Sequence, residues 1–120
     1  MGHPVTQFQI LAKNPQTAAE FYGKLFGWTF NADNALGYQV INTQSKSGIQ
    51  GGIWPAPPEA QALVQLFVEV PDVKATVELV GKLNGTVVIE PQTLPDGDEM
   101  AVILDTEGIP FGLFQAAKRD

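Results

Sequence analysis

Few residues in this chain can do chemistry, and their types narrow the choice quickly. Cysteine does not occur, so disulfides, thiol nucleophiles and cysteine-ligated metals are excluded. The single histidine is His3, which is read as inert. A Ser–His–Asp apparatus or a multi-histidine metal site therefore has nothing to draw on. Two carboxylates stand at the ends of apolar runs, Glu69 and Glu99. Enclosed, either would have its pKa raised by desolvation and could act as a general base; exposed, either is an ordinary strand-end acid. Asp96 and Asp98 fall in a turn, and Glu90 before Pro91 reads as solvated. Gly48, Gly51 and Gly52 surround Gln50, but no Lys-Ser/Thr follows and no Gly-x-Gly-x-x-Gly opens a helix. They form no phosphate loop and instead permit close approach of a ligand or of another backbone.

The elements that position these residues come from an internal repeat at an offset of 58. Gly23-Lys24-Leu25-Phe26-Gly27 returns as Gly81-Lys82-Leu83-Asn84-Gly85, and Gln7, Phe8, Ile10 and Asn14 return as Gln65, Leu66, Val68 and Asp72. One supersecondary unit used twice explains this. Each copy opens with a β-rich run, 5–11 and 63–70. A helix-capping residue follows, Asn14 with Pro15 behind it, or Asp72 after Pro71. Ala18, Phe21, Tyr22 and Leu25 then share a helical face, as do Val73, Val77 and Val80 in the second copy. Gly27 and Gly85 stop the helices. Shorter apolar runs follow near 28–31, 37–43 and 49–54, and again near 86–90, 99–104 and 110–115. They are punctuated by Asn31-Ala32-Asp33-Asn34, Ser47-Gly48, Pro95–Asp98 and Glu107-Gly108. The unit is βαβββ, with module 1 over 5–54, a stiff Pro-rich linker over 55–62, and module 2 over 63–117.

Composition agrees with a single domain of 120 residues. Hydrophobic residues at 44% suffice for a core, and 12 Gly with 9 Pro against 17% charged residues argue for a turn-rich fold over a coiled coil. Seven Lys/Arg against thirteen Asp/Glu leave −6, a poor balance for gripping phosphates, so no nucleic-acid partner is expected. No run approaches a membrane span and no secretory signal is seen, so a cytoplasmic location is expected.

A tandem βαβββ repeat resembles the glyoxalase/bleomycin-resistance/dioxygenase group, the vicinal oxygen chelate superfamily. The resemblance is carried by Ala19-Glu20-Phe21-Tyr22-Gly23-Lys24-Leu25-Phe26-Gly27-Trp28, by Val68-Glu69-Val70-Pro71-Asp72-Val73 and by Leu104-Asp105-Thr106-Glu107-Gly108-Ile109-Pro110-Phe111-Gly112-Leu113. It implies an α+β fold whose curled mixed sheets form a ligand-holding cup, commonly at or near a dimer interface. It also implies metal ligands at the positions of Gln7, Gln65 and Gly112. Two neutral amides and a missing side chain are a weak set for a divalent cation, and the fourth, acidic ligand has no clear counterpart. No metal and no other cofactor is expected.

Alternation along β-strands sorts the remaining candidates. In the first strand Val5, Gln7, Gln9 and Leu11 share a face. In the fifth, Leu63, Gln65, Phe67 and Glu69 face the cup while Val64, Leu66, Val68 and Val70 pack on the helix. Gln7 and Gln65 thus occupy matching places, where they either fix a polar ligand or bond each other or water. Tyr38, Trp54, Phe67 and Phe114 are candidates for an aromatic wall suited to a flat or cationic ligand, with Gln9 and Gln50 beside them. Phe8, Phe21, Tyr22 and Phe26 read as core, and Trp28 as buried at a strand start. The expected function is metal-free binding of a small organic molecule. The alternatives are a lyase, isomerase or dioxygenase-type enzyme with an altered site, using Glu69 or Glu99, and a non-catalytic structural or regulatory dimer. A homodimer is expected in each case, because curled sheets leave edges to cover.

Overall fold

The computed structural model describes residues 2–32 and 37–117. The turn residues Asp33 and Asn34 lie outside the described residues. The chain forms two compact units, one spanning Gln7–Gln65 and the other joining the residues up to Thr6 with those from Leu66 onward.

In the first unit the elements run β1 (Val5–Ala12) from Gln7 onward, α1 (Pro15–Phe26), β2 (Thr29–Asn31), β3 (Gln39–Asn42) and β4 (Gln50–Pro55). Their order in the sheet is β2-β3-β4-β1, antiparallel except for the parallel pair of β4 and β1. A parallel pair needs a crossover, and the helix supplies it. Asn14 caps α1, its Oδ1 accepting from the Thr17 amide at 3.1 Å, and Gly27 ends it at φ +75°. A left-handed residue there costs glycine nothing. Ile10, Ala12, Ala19, Ile41 and Ile53 are buried together, with Phe8, Ala18, Tyr22, Trp28 and Phe30 packed around them.

The second unit holds β5 (Leu63–Glu69) from Leu66 onward, with α2 (Val73–Lys82), β6 (Thr86–Thr93), β7 (Glu99–Leu104) and β8 (Pro110–Gln115). Its order is β5-β8-β7-β6, again with one parallel pair, β5 with β8. Val70, Val73, Ala101 and Leu113 form the core, joined by Val68, Val77 and Ile103. Two side chains cap α2: Asp72 Oδ1 accepts from the Ala75 amide at 3.0 Å, and Gln115 Oε1 from the Val73 amide at 2.8 Å. The fold class is α+β with tandem βαβββ modules, as the repeat predicts. No helix among the described residues is long and apolar enough to cross a membrane.

Four expectations need correction. Phe21 and Phe26 are 60% and 54% exposed, because α1 turns Ala18, Ala19 and Tyr22 toward the sheet and leaves Phe21 on its flank. Trp28 is half-buried, in contact with Phe8, Tyr22 and Phe26. Of the β5 positions assigned to helix packing, Val68 and Val70 do pack, whereas Val64 and Leu66 are exposed. At the end of α2 the left-handed residue is Asn84 (φ 68°), not Gly85. Gly85 instead lets the chain pass close to β7, where a Cβ would meet Leu104 O and Val80 Cγ1 at 2.8 Å.

The linker also differs from a stiff extended segment. It turns at Pro57–Ala60, the Ala60 amide donating to Pro57 O at 3.0 Å, with Pro58 at the turn position that suits its fixed φ. Lys13 Nζ holds the turn, donating to the carbonyls of Pro57 (3.2 Å), Pro58 (3.1 Å) and Ala60. Proline-rich composition does not reveal that anchor.

Candidate functional site

The parallel register of β1 and β4 places Gln7 opposite Gln50 and Gln9 opposite Gly52. Period-two alternation puts Gln7 and Gln9 on one face, and their side chains meet: Gln9 Nε2 donates to Gln7 Oε1 at 2.6 Å. Gln9 is 5% exposed, and its Oε1 is buried with no hydrogen-bond partner among the described residues. A buried acceptor of this kind is ordinarily paired, with protein or with an ordered water.

Tyr38, the residue just before β3, closes this face. Its ring lies where the side chain of Gly52 would be; a Cβ on Gly52 would strike the phenol. Tyr38 stacks on Trp54, centroids 4.3 Å apart and planes inclined by 30°. Burial raises the Tyr38 pKa above its ordinary 10.0, and a hydrogen bond with Gln9 opposes that rise in part. The phenol is therefore a neutral hydroxyl across the physiological range. Its folded value lies above the unfolded one, so the stability linked to the phenol is present below about pH 10 and lost as pH rises through the folded value. In an absorbance titration of the phenolate band, one tyrosine should ionise above the ordinary value, and Tyr38→Phe should delete that late step.

Gln50 is exposed, and its amide is committed elsewhere. Its Oε1 accepts from the Thr43 amide at 3.0 Å, and its Nε2 donates to Thr43 Oγ1 at 2.9 Å and Ser45 O at 3.4 Å. These bonds fasten the β3–β4 connection. Gln65 is 8% exposed within β5.

The second unit repeats the ring-over-glycine arrangement. Phe67 on β5 faces Gly112 on β8 in the parallel register, and its ring occupies the place of the missing Gly112 side chain. Phe67 is 5% exposed. The pairs Gln9–Gly52 and Phe67–Gly112 are the same register position in the two copies. Gly52 precedes Gly112 by 60 residues, an offset that a strict search at 58 passes over. Phe114 is half-buried on β8 opposite Met100 and Glu69. Glu99 is half-buried on β7 between Thr93 and Gln115. Glu69 lines a separate pocket of about 280 Å³ with His3, Pro4, Val70 and Pro71, and its amide donates to Pro4 O at 2.9 Å.

The donor set does not fit a divalent cation. Gln7 Oε1 already accepts from Gln9, and Gly112 offers no donor while the Phe67 ring covers its Cα. Among the described residues no three His, Cys, Asp or Glu side chains come together to hold a metal.

Residues 7–114 match the family of the Glyoxalase-like domain, and the chain belongs to that family within the glyoxalase/bleomycin-resistance/dioxygenase superfamily. It is 32% identical over 114 residues to CFP32 of Mycobacterium tuberculosis and of Mycobacterium bovis, a protein provisionally named a glyoxylase. That match covers 88% of this chain and 43% of the relative, so the chain spans less than half the length of these relatives. Among solved structures, a hypothetical protein from Bacillus halodurans C-125 superimposes with a TM-score of 0.71 at 9% identity, covering 100% of this chain and 99% of that one. A methylmalonyl-CoA epimerase from Mycobacterium tuberculosis gives 0.65 at 17% identity, covering 95% and 88%. These likenesses establish the fold.

Proposed function

We propose that the chain binds a small organic molecule, without a metal ion, on the β1–β3–β4 face of its first unit. The observation that supports this reading lies in the first unit: the Gln7 amide, at a position where the resemblance implies a metal ligand, is tied to Gln9. What remains is polar and aromatic. Gln9 Oε1 suits a ligand N–H or O–H, and the half-buried Tyr38–Trp54 stack suits a flat or cationic group. The family's name attaches to lyases, drug-binding proteins and dioxygenases alike, so the fold leaves the reaction open and the side chains must decide.

Fluorescence titration with proflavine, a flat cation, tests this directly. Quenching should saturate, should be unchanged by prior dialysis against EDTA, and should weaken about tenfold in Trp54→Ala, the loss of one stacking contact. Stoichiometric Zn, Ni, Mn or Fe in protein purified without chelator, with binding lost on its removal, sinks the metal-free reading. Saturable quenching indifferent to Trp54→Ala sinks the assigned face.

A further inference from the structure

The ring over Gly52 and the ring over Gly112 occupy matching places, yet they are held differently. Phe67 is 5% exposed, lies within β5 and carries no hydrogen-bonding group, so it is a fixed filling. Tyr38 is half-buried and stands outside the β3–β4 ladder, between Gly37 at φ +72° and the first residue of β3. Its side chain leaves the niche without unpairing a strand.

Beneath it lie a donor and an acceptor of one amide. Gln9 Nε2 spends one hydrogen on Gln7 Oε1. The bond between Gln9 and Tyr38 favours the phenolate, so the amide donates it and its second hydrogen is spent there. Gln9 Oε1 is the atom left over, buried and without a hydrogen-bond partner among the described residues. The phenol thus serves half of the amide edge. A group that replaced it and served both halves would gain the bond that Tyr38 does not make.

The form of that group follows from the place it fills. The niche now holds a six-membered ring, with its hydroxyl and adjoining carbons where a Gly52 Cβ would stand. Trp54 forms one wall, its ring centroid 4.3 Å from that of Tyr38. An acceptor for Nε2–H and a donor for Oε1 must occupy neighbouring atoms of the ring edge, because the amide nitrogen and oxygen are themselves neighbours. Side-chain amides grip the edge of adenine in this bidentate way. A nitrogen heterocycle with an amino group beside the ring nitrogen has the pattern; a hydrocarbon ring and a carboxylate do not.

We propose that Tyr38 is a resident stand-in for the ligand, and that a planar amino-substituted nitrogen heterocycle takes its place over Gly52, against Trp54, with its edge on the Gln9 amide. The proposal rests on the ligand-binding reading above and names the ligand class of that face. Tyr38 competes with such a ligand, so its removal tightens binding, whereas removal of a wall residue weakens it.

Calorimetric titration in mildly alkaline buffer with 2-aminopyridine, 2-methylpyridine and aniline tests it. The three share one outline and are uncharged there; they offer donor plus acceptor, acceptor alone and donor alone. 2-Aminopyridine should bind about tenfold more tightly than either analogue. Tyr38→Ala should tighten its binding several-fold, and Gln9→Met, close in volume, should erase the preference with circular dichroism unchanged. Equal or absent binding of the three probes overturns the proposal, as does weaker binding in Tyr38→Ala or a preference that survives Gln9→Met. A gain in Tyr38→Ala shared equally by 2-methylpyridine is the filling of a cavity and also overturns it. Cytosine and its nucleoside monophosphate carry the same edge: tighter binding of the first identifies a free base, of the second a nucleotide, and either supports the class. Proflavine separates this proposal from the reading beneath it. Quenching that depends on Trp54, without discrimination among the three probes, sinks the ligand class alone; quenching indifferent to Trp54→Ala sinks the face and the class together.

Discussion

Restoring an acid at the last-strand position, Gly112→Glu, should cost at least about 3 kcal/mol of stability rather than create a metal site. Gly112 is buried, and any Cβ there enters the Phe67 ring. Overpacking alone costs ~1–3 kcal/mol, and a carboxylate brought into that place adds its desolvation. Phe67 cannot retreat cheaply, since it is 5% exposed and held in register by the β5–β8 ladder. Urea unfolding measures the loss as a lower midpoint at unchanged slope. The pair is coupled, so Phe67→Ala should be less harmful in the Gly112→Glu background than alone. Additive losses would show that the ring is not the obstacle.

Gly51→Ala should be nearly as damaging, and more so than Gly52→Ala next to it. At Gly51 the added methyl meets the Phe8 carbonyl oxygen as well as the Phe8 ring, in a parallel pair whose partner is that same residue. A backbone oxygen has no rotamer to escape into, so β1 and β4 must separate. A loss on the order of 3 kcal/mol is expected, at the upper end of overpacking. At Gly52 the obstacle is the Tyr38 side chain, which can swing aside. There about 1–2 kcal/mol should be lost, together with the Tyr38–Trp54 stack and the late tyrosine ionisation. Equal midpoints for the two variants would contradict the distinction between backbone and side-chain obstruction.

The candidate face was partly legible before folding. Alternation alone places Gln7 with Gln9, and it selects Tyr38 and Trp54 only as aromatics on strands. That Tyr38 covers Gly52 and stacks on Trp54 depends on the β3–β4 and β1–β4 registers, which no local pattern encodes. Gln50 shows the converse. It stands on the right strand for a ligand contact, yet its amide closes a loop.

Local sequence by itself determined the two βαβββ modules, because capping residues, helical spacing and strand alternation are short-range signals repeated at one offset. Asn14, Asp72, Gly27 and the limits of β7 and β8 follow from those signals. Which face each helix buries was a tertiary decision: Phe21 is as apolar as Tyr22, but only Tyr22 turns onto the sheet. The left-handed residue after α2 was likewise settled by packing, since Gly85 was needed against Leu104 and Asn84 took the turn. The filled place over Gly112 arises in the same way, from two strands 45 residues apart in sequence brought side by side, where a glycine and a phenylalanine can share the volume of one side chain each.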